Sequence, residues 1–317
     1  MPLFKYLIQY RFRDMAELIR NEKADPLPCH ESMQGKLIVL TGATAGIGLE
    51  TARYFAERGA DLICINRNPQ KAQRLLAEFT TNYGIKAENI ICDFASMEQV
   101  RACARTLNEL DRPIDVLIHN AGVYHTKKTY SQDGIEMVFQ VNHLSSFLLN
   151  YLLKDKLTAE NRARIIYVNS EGHRFALAGV HLKDLDWRWH FYTGLKSYGA
   201  AKTAQLLSMQ QFADLFSSGA GGGVTINAMH PGNVKSDIGN NNGKLYRWLK
   251  KKFVLSSARE ATVSAQALYY LAAAPELKGI SGQFFNLTTP EKPAPHARDR
   301  SRIKAVWDRS LELCGLD

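Results

Sequence analysis

The strongest constraint on this chain is a rhythm that begins at Lys36. Short uninterrupted apolar runs alternate with longer amphipathic stretches. The runs at 37–40, 61–65, 88–92, 115–119, 164–168, 224–229 and 282–287 have the length and aliphatic content of buried strands. The stretches at 48–57, 69–80, 97–110, 135–153, 197–216 and 260–273 have helical spacing. A strand that is apolar along its whole length needs cover on both faces, and helices alternating with such strands supply it. Right-handed crossovers then leave few topologies. The expected fold is α/β: a single doubly wound Rossmann-type parallel sheet with helices on both faces.

This domain is expected over 36–288, with a lid at 233–257. Residues 1–35 are an N-terminal extension in which Phe4, Leu7, Ile8, Met15, Leu18 and Ile19 fall at the spacing of an amphipathic helix, ended by Pro26 and Pro28. Residues 289–317 read as a polar C-terminal tail with a short helical pattern around Val306 and Leu311.

The net charge of +9, from 40 Lys and Arg against 31 Asp and Glu, suits an anionic partner: a phosphate-bearing cofactor, a membrane surface or nucleic acid. The basic residues are mostly scattered, with neither zinc-finger spacing nor an RNA-binding aromatic signature, so nucleic acid is set aside. The histidines show no metal-ligand spacing, and no metal is expected. The five cysteines include no Cys-x-x-Cys pair and read as small core residues in a reducing compartment. No apolar run reaches the roughly 18 residues of a membrane span. Lys5, Gln9, Arg11 and Arg13 interrupt any signal-peptide core. The expected location is cytoplasmic, or peripheral on a membrane facing the reducing compartment, and not secreted.

The first strand runs into Thr41-Gly42-Ala43-Thr44-Ala45-Gly46-Ile47-Gly48. Glycines between a strand and a helix permit a tight turn, and they bring backbone N–H groups and the positive helix N-terminus to a pyrophosphate. After the second strand, Asn66-Arg67 stands where an acidic residue would hold the ribose 2′-hydroxyl of NAD. Arg67 can pair with a 2′-phosphate instead, which favours NADP(H). Tyr198 and Lys202 lie four apart at the start of a predicted helix and so share a face. A nearby ammonium favours phenolate and suits tyrosine to proton exchange. Alone, this spacing is common in proteins.

Taken together, these features are similar to the short-chain dehydrogenase/reductase family over 36–287. The motifs that carry the resemblance are the 41–48 glycine turn, Cys92-Asp93-Phe94, Asn120-Ala121-Gly122, Asn142, Ser170, the Tyr198/Lys202 pair, and Pro231-Gly232. The resemblance implies that Tyr198 is the general acid/base and that Lys202 lowers its pKa and holds the nicotinamide ribose. Ser170 would bond the substrate oxygen, and Asn142 would hold a water in a relay behind Lys202. It also implies that Asp93 and Phe94 bind the adenine and that Asn120, Ala121 and Gly122 lie on the adenosine side. Pro231, Gly232 and Val234 would border the nicotinamide. His119 and Asn169 depart from the family's common residues.

Ser170-Glu171-Gly172-His173, the 182–187 stretch and Tyr192 are similar to the retinol-dehydrogenase-like branch, including the X-linked dehydrogenase/reductase type. That implies a small lipophilic alcohol or carbonyl substrate. The 233–257 segment sets Leu245, Tyr246, Trp248, Leu249, Phe253 and Val254 beside Arg247 and Lys250 to Lys252, as suits an apolar pocket or a membrane interface. The long helices at 135–153 and 197–216 are where relatives form a homodimer. A carbon–carbon double-bond reductase and a non-catalytic NADP(H)-binding scaffold remain as alternatives.

Overall fold

A computed structural model describes residues 6, 9, 21, 24–159, 162–217, 223–234 and 259–316. The expected N-terminal helix and nearly all of the lid therefore lie outside the described residues. The sheet has strands β1 (Leu37–Thr41), β2 (Asp61–Asn66), β3 (Ala87–Ile91), β4 (Val116–His119), β5 (Arg164–Val168), β6 (Thr225–His230), β7 (Phe284–Asn286) and β8 (Thr289–Pro290). Their spatial order is β3-β2-β1-β4-β5-β6-β7-β8, and only β8 runs antiparallel to its neighbour. The strand order reverses between β1 and β4, which opens a crevice at the carboxyl ends of those strands.

Alternation along each central strand builds two cores. Leu37 and Val39, Leu117, and Ile165 and Tyr167 face one layer. Ile38 and Leu40, Val116 and Ile118, and Ile166 and Val168 face the other. The second layer is roofed by α1 (Gly46–Ala56), α2 (Pro69–Asn82) and, later in the chain, Ala261–Ala273. The first is roofed by α3 (Met97–Asn108), by α4 (137–152) and by α6 (Gly194–Ser217). Helix α4 starts as Met137–Phe139, widens to a π-turn over Gln140–Leu144 and resumes as Ser145–Leu152; α5 (Lys154–Ala159) follows. Ala261–Ala273 is α7, and α8 is Arg300–Cys314. No helix among the described residues is long and apolar enough to cross a membrane.

Two expectations change. The run at 88–92 is not a fully buried strand: β3 is the sheet edge, and Ile91 is 48% exposed. The 289–317 segment, expected as a polar tail with a short helical pattern around Val306 and Leu311, carries a longer helix that packs on the domain. Helix α8 buries Val306, Ser310 and Cys314, and sets Trp307 edge-on to Phe147 of α4 and Phe212 of α6, with ring centres 4.9 and 4.7 Å away. Part of the face that α4 and α6 were expected to offer a second copy is therefore covered by this chain's own helix. Trp307→Ala is expected to lower stability by about 3 kcal/mol, the usual cost of deleting a large packed ring. Urea unfolding should show a lower midpoint with an unchanged slope.

The connection into α8 also grips the loop after β5. His173 is fully buried there, and its Nε2 accepts from Ala294 N at 3.0 Å. The proton must then sit on Nδ1, which donates to Ser170 O at 2.7 Å. Arg174 pairs with both Glu171 and Glu291. Residues more than a hundred positions apart thus set the shape of the turn that carries Ser170.

Candidate active site

The glycine turn leaves β1 with Gly42 at φ 73° and Gly46 at φ 54°, a region that L side chains avoid. At Gly48 a Cβ would stand 2.1 Å from Gly42 O and 2.4 Å from Asn120 Nδ2, so only glycine fits. Asn120 Nδ2 donates to Thr41 O and Gly42 O, each at 3.0 Å, while Thr41 Oγ1 accepts from Asn120 N and Ala121 N. Asn120 thus spends its amide holding the turn. Asn66 joins it: Oδ1 accepts from Ala43 N at 2.8 Å, and Nδ2 donates to Asn89 Oδ1 at 2.7 Å. The sequence marked Asn66 only as standing beside Arg67 where an acidic residue could be, although an amide at the end of an apolar strand needs partners.

Ala45 precedes α1 without a side-chain cap, and the first turn carries no acidic residue. With Thr44, Ala45 and Ile47 only partly buried, this end presents uncapped N–H groups suited to a phosphate. The cradle therefore fits a dinucleotide. Arg67 stands exposed just past β2. Its charge reaches His125 after β4, whose pKa is lowered first by burial and then by Arg67. Asp93 turns its carboxylate onto Ala95 N at 3.0 Å, and Phe94 is buried with its carbonyl accepting from Ser145 Oγ.

At the other end of the crevice, β5 delivers Ser170, whose Oγ accepts from Gly172 N at 2.9 Å. A Cβ on Gly172 would lie 2.7 Å from the Tyr198 ring, which measures how closely this loop passes the phenol. Helix α6 starts earlier than predicted, so Tyr198 and Lys202 sit inside the helix, on one face. Lys202 Nζ lies 5.8 Å from the Tyr198 ring centre and donates to Val168 O at 2.7 Å. Burial lowers its pKa to about 7. Burial pushes the Tyr198 phenol up to about 12, opposed by the hydrogen bond with Ser170. The ring of Tyr124 stands edge-on to it at 5.7 Å.

Asn142 lies in the π-turn of α4. Its Oδ1 accepts from Val123 N at 2.7 Å, and its Nδ2 donates to Val123 O at 2.9 Å. It thereby clamps the loop of Asn120, Ala121 and Gly122, where a Cβ on Gly122 would approach Asn142 Oδ1 to 3.2 Å. Between Asn142 and Lys202 lies the Gln205 amide, which the sequence reading missed. The signal was available: Gln205 interrupts an apolar helical stretch as Asn142 does. Past β6, Pro231 O accepts from Ser264 Oγ, Gly232 takes φ 75°, and Val234 pairs with Arg259.

Residues 36–181 match the family model described as short chain dehydrogenase. Human retinol dehydrogenase 13 is 33% identical over 299 residues, covering 92% of this chain and 88% of its own. The human WW domain-containing oxidoreductase is 33% identical over 88% of this chain and 68% of its own. The chain belongs to the short-chain dehydrogenase family of oxidoreductases. Within that family it stands in the retinol-dehydrogenase-like branch. An uncharacterized protein from Mycobacterium paratuberculosis superposes with a TM-score of 0.71 at 26% identity, covering 90% of this chain and 95% of that one. A short chain dehydrogenase from Burkholderia cenocepacia J2315, crystallised in complex with NADP, shares the fold at a TM-score of 0.63 and 22% identity, covering 81% of this chain and 98% of that one.

Proposed function

We propose that this protein is an NADP(H)-dependent oxidoreductase that interconverts an alcohol with an aldehyde or ketone on a small lipophilic substrate. The observation that carries this reading is one cluster: Tyr198 and Lys202 on one face of α6, with Ser170 bonded to the phenol, in the same crevice as the glycine cradle. Bound NADPH supplies the hydride at its nicotinamide C4. Ser170 Oγ and Tyr198 Oη hold the substrate oxygen, and Tyr198 gives that oxygen its proton. Its raised pKa keeps the phenol protonated at neutral pH, as donation requires. In the reverse direction the Lys202 ammonium stabilises the phenolate.

Ala45, Gly46 and Ile47 would face the pyrophosphate at the start of α1. Asp93 and Phe94 would border the adenine, Asn120 to Gly122 the adenosine side, and Pro231, Gly232 and Val234 the nicotinamide. The likeness to retinol dehydrogenases supports a lipophilic alcohol of retinoid type, with steroid, polyprenoid and fatty aldehydes in the same class. The 233–257 segment is read as the lid over that substrate, and its lysines and aromatics, with residues 1–35, as a peripheral membrane contact.

The test is turnover of a panel of lipophilic aldehydes and ketones with NADPH and with NADH. The wild type should prefer NADPH. Arg67→Asp should cut kcat/KM for NADPH about 100-fold, since a charge-assisted pair to a 2′-phosphate contributes about 2–3 kcal/mol. The same change should improve NADH use. An unchanged ratio of the two cofactors in the variant would remove Arg67 from the cofactor site.

A further inference from the structure

We propose that Gln205 is a positioning residue that ties Asn142, Lys202 and, through Asn169, Ser170 into one rigid frame behind the reacting groups. The inference rests on the reading above that Tyr198, Lys202 and Ser170 carry the chemistry. Gln205 is 2% exposed and touches each part of the frame. Its Oε1 accepts from Asn169 Nδ2 at 2.9 Å and lies 3.5 Å from Lys202 Nζ. Its Nε2 donates to the Asn142 carbonyl at 3.1 Å and lies 3.4 Å from Ser146 Oγ. Asn169 completes the frame. Its Nδ2 also donates to Lys202 O at 3.1 Å, and its Oδ1 accepts from Ser170 N at 2.8 Å.

The amide fits only one way round. Turned over, its NH2 would meet the NH2 of Asn169 and the Lys202 ammonium, and its oxygen would meet the carbonyl of Asn142. The arrangement therefore aims a carbonyl dipole at a cation that burial disfavours. Asn169, where the family commonly has serine, supplies donors to both Gln205 and Lys202 from the residue next to Ser170. Among the titratable groups around it, Tyr198 has its ring centre 5.8 Å from Lys202 Nζ, and the pKa of His119 is lowered mainly by burial and also by the Lys202 charge.

The experiment titrates the full chain, labelled with 13Cε-lysine, with the Lys202 resonance identified by its loss in Lys202→Arg. Gln205→Leu should lower the Lys202 midpoint by about a unit, and the near-isosteric Gln205→Glu should raise it by about a unit or more. In turnover with NADPH, Gln205→Leu should lower kcat about 10- to 100-fold while the aldehyde KM stays within about threefold. Gln205→Glu should keep more activity, with its pH profile displaced upward. An unmoved Lys202 midpoint in both variants, with kcat within about twofold of wild type, would make Gln205 a packing residue only, whatever happens to its melting temperature. If Gln205→Leu does not fold, the Gln205→Glu titration decides. Absence of wild-type turnover would sink the oxidoreductase reading and leave the lysine titration to judge this one.

Discussion

Tyr198→Phe is expected to lower kcat about 1,000-fold, within the range contributed by a positioned acid/base group. That corresponds to about 4 kcal/mol of transition-state stabilisation. The substitution removes only Oη, whose partner is Ser170, and leaves the ring against Gly172 and Tyr124. NADPH affinity should therefore stay within about threefold and the melting temperature should not fall, because a buried hydroxyl exchanged for a hydrogen leaves no cavity. Stopped-flow hydride transfer beside fluorescence titration of NADPH separates the effects. Retention of a tenth of wild-type kcat would show that another group delivers the proton, and Ser170 would be the first to examine.

Gly48→Ala should act on the opposite end of the site. Alanine is worth about 1 kcal/mol over glycine inside a helix, so propensity alone predicts a gain. Sterics overrule it. The new methyl would stand 2.1 Å from Gly42 O, a backbone atom that the Asn120 amide already holds. Either the turn opens or α1 slides away from β1, and both displace the N–H groups meant for the pyrophosphate. NADPH binding should weaken at least about 100-fold, comparable to losing two charge-assisted hydrogen bonds. Isothermal titration measures this, and near-ultraviolet dichroism confirms that the core is kept. Binding within about threefold of wild type would mean that the cradle does not grip the cofactor at this turn.

The sheet was legible because its central strands are buried on both faces, and such strands leave uninterrupted apolar runs. The runs at 37–40, 61–65 and 164–168 became β1, β2 and β5 within a residue. Tyr198 and Lys202 could be paired from spacing alone, since residues four apart on a helix must share a face. The glycine turn was legible for the same local reason, because a conformation that only glycine adopts leaves its mark on the residue itself.

Other features were hidden. β3 gave an apolar run like its neighbours, yet its place at the edge leaves Ile91 exposed. Helix α8 looked like a polar tail because only Val306, Ser310 and Cys314 are fully buried along it, while Ile303, Trp307 and Leu311 pack only partly covered. Spacing placed Lys202 on the same face as Tyr198, but only the packing around them showed that burial raises the phenol's pKa and that Lys202 donates to the Val168 carbonyl.

The sequence by itself determined most of the strands and helices, which residues share a face, and that a glycine-rich turn joins β1 to α1. Each depends on the chain's own local geometry. Only the tertiary structure decided that Gln205 bridges Asn142 and Lys202, that Ala294 fixes the tautomer of His173, and that Trp307 closes over Phe147 and Phe212. Those partners lie on different elements, brought together by crossovers and packing, and a buried polar group or ring takes whichever neighbour the packing supplies.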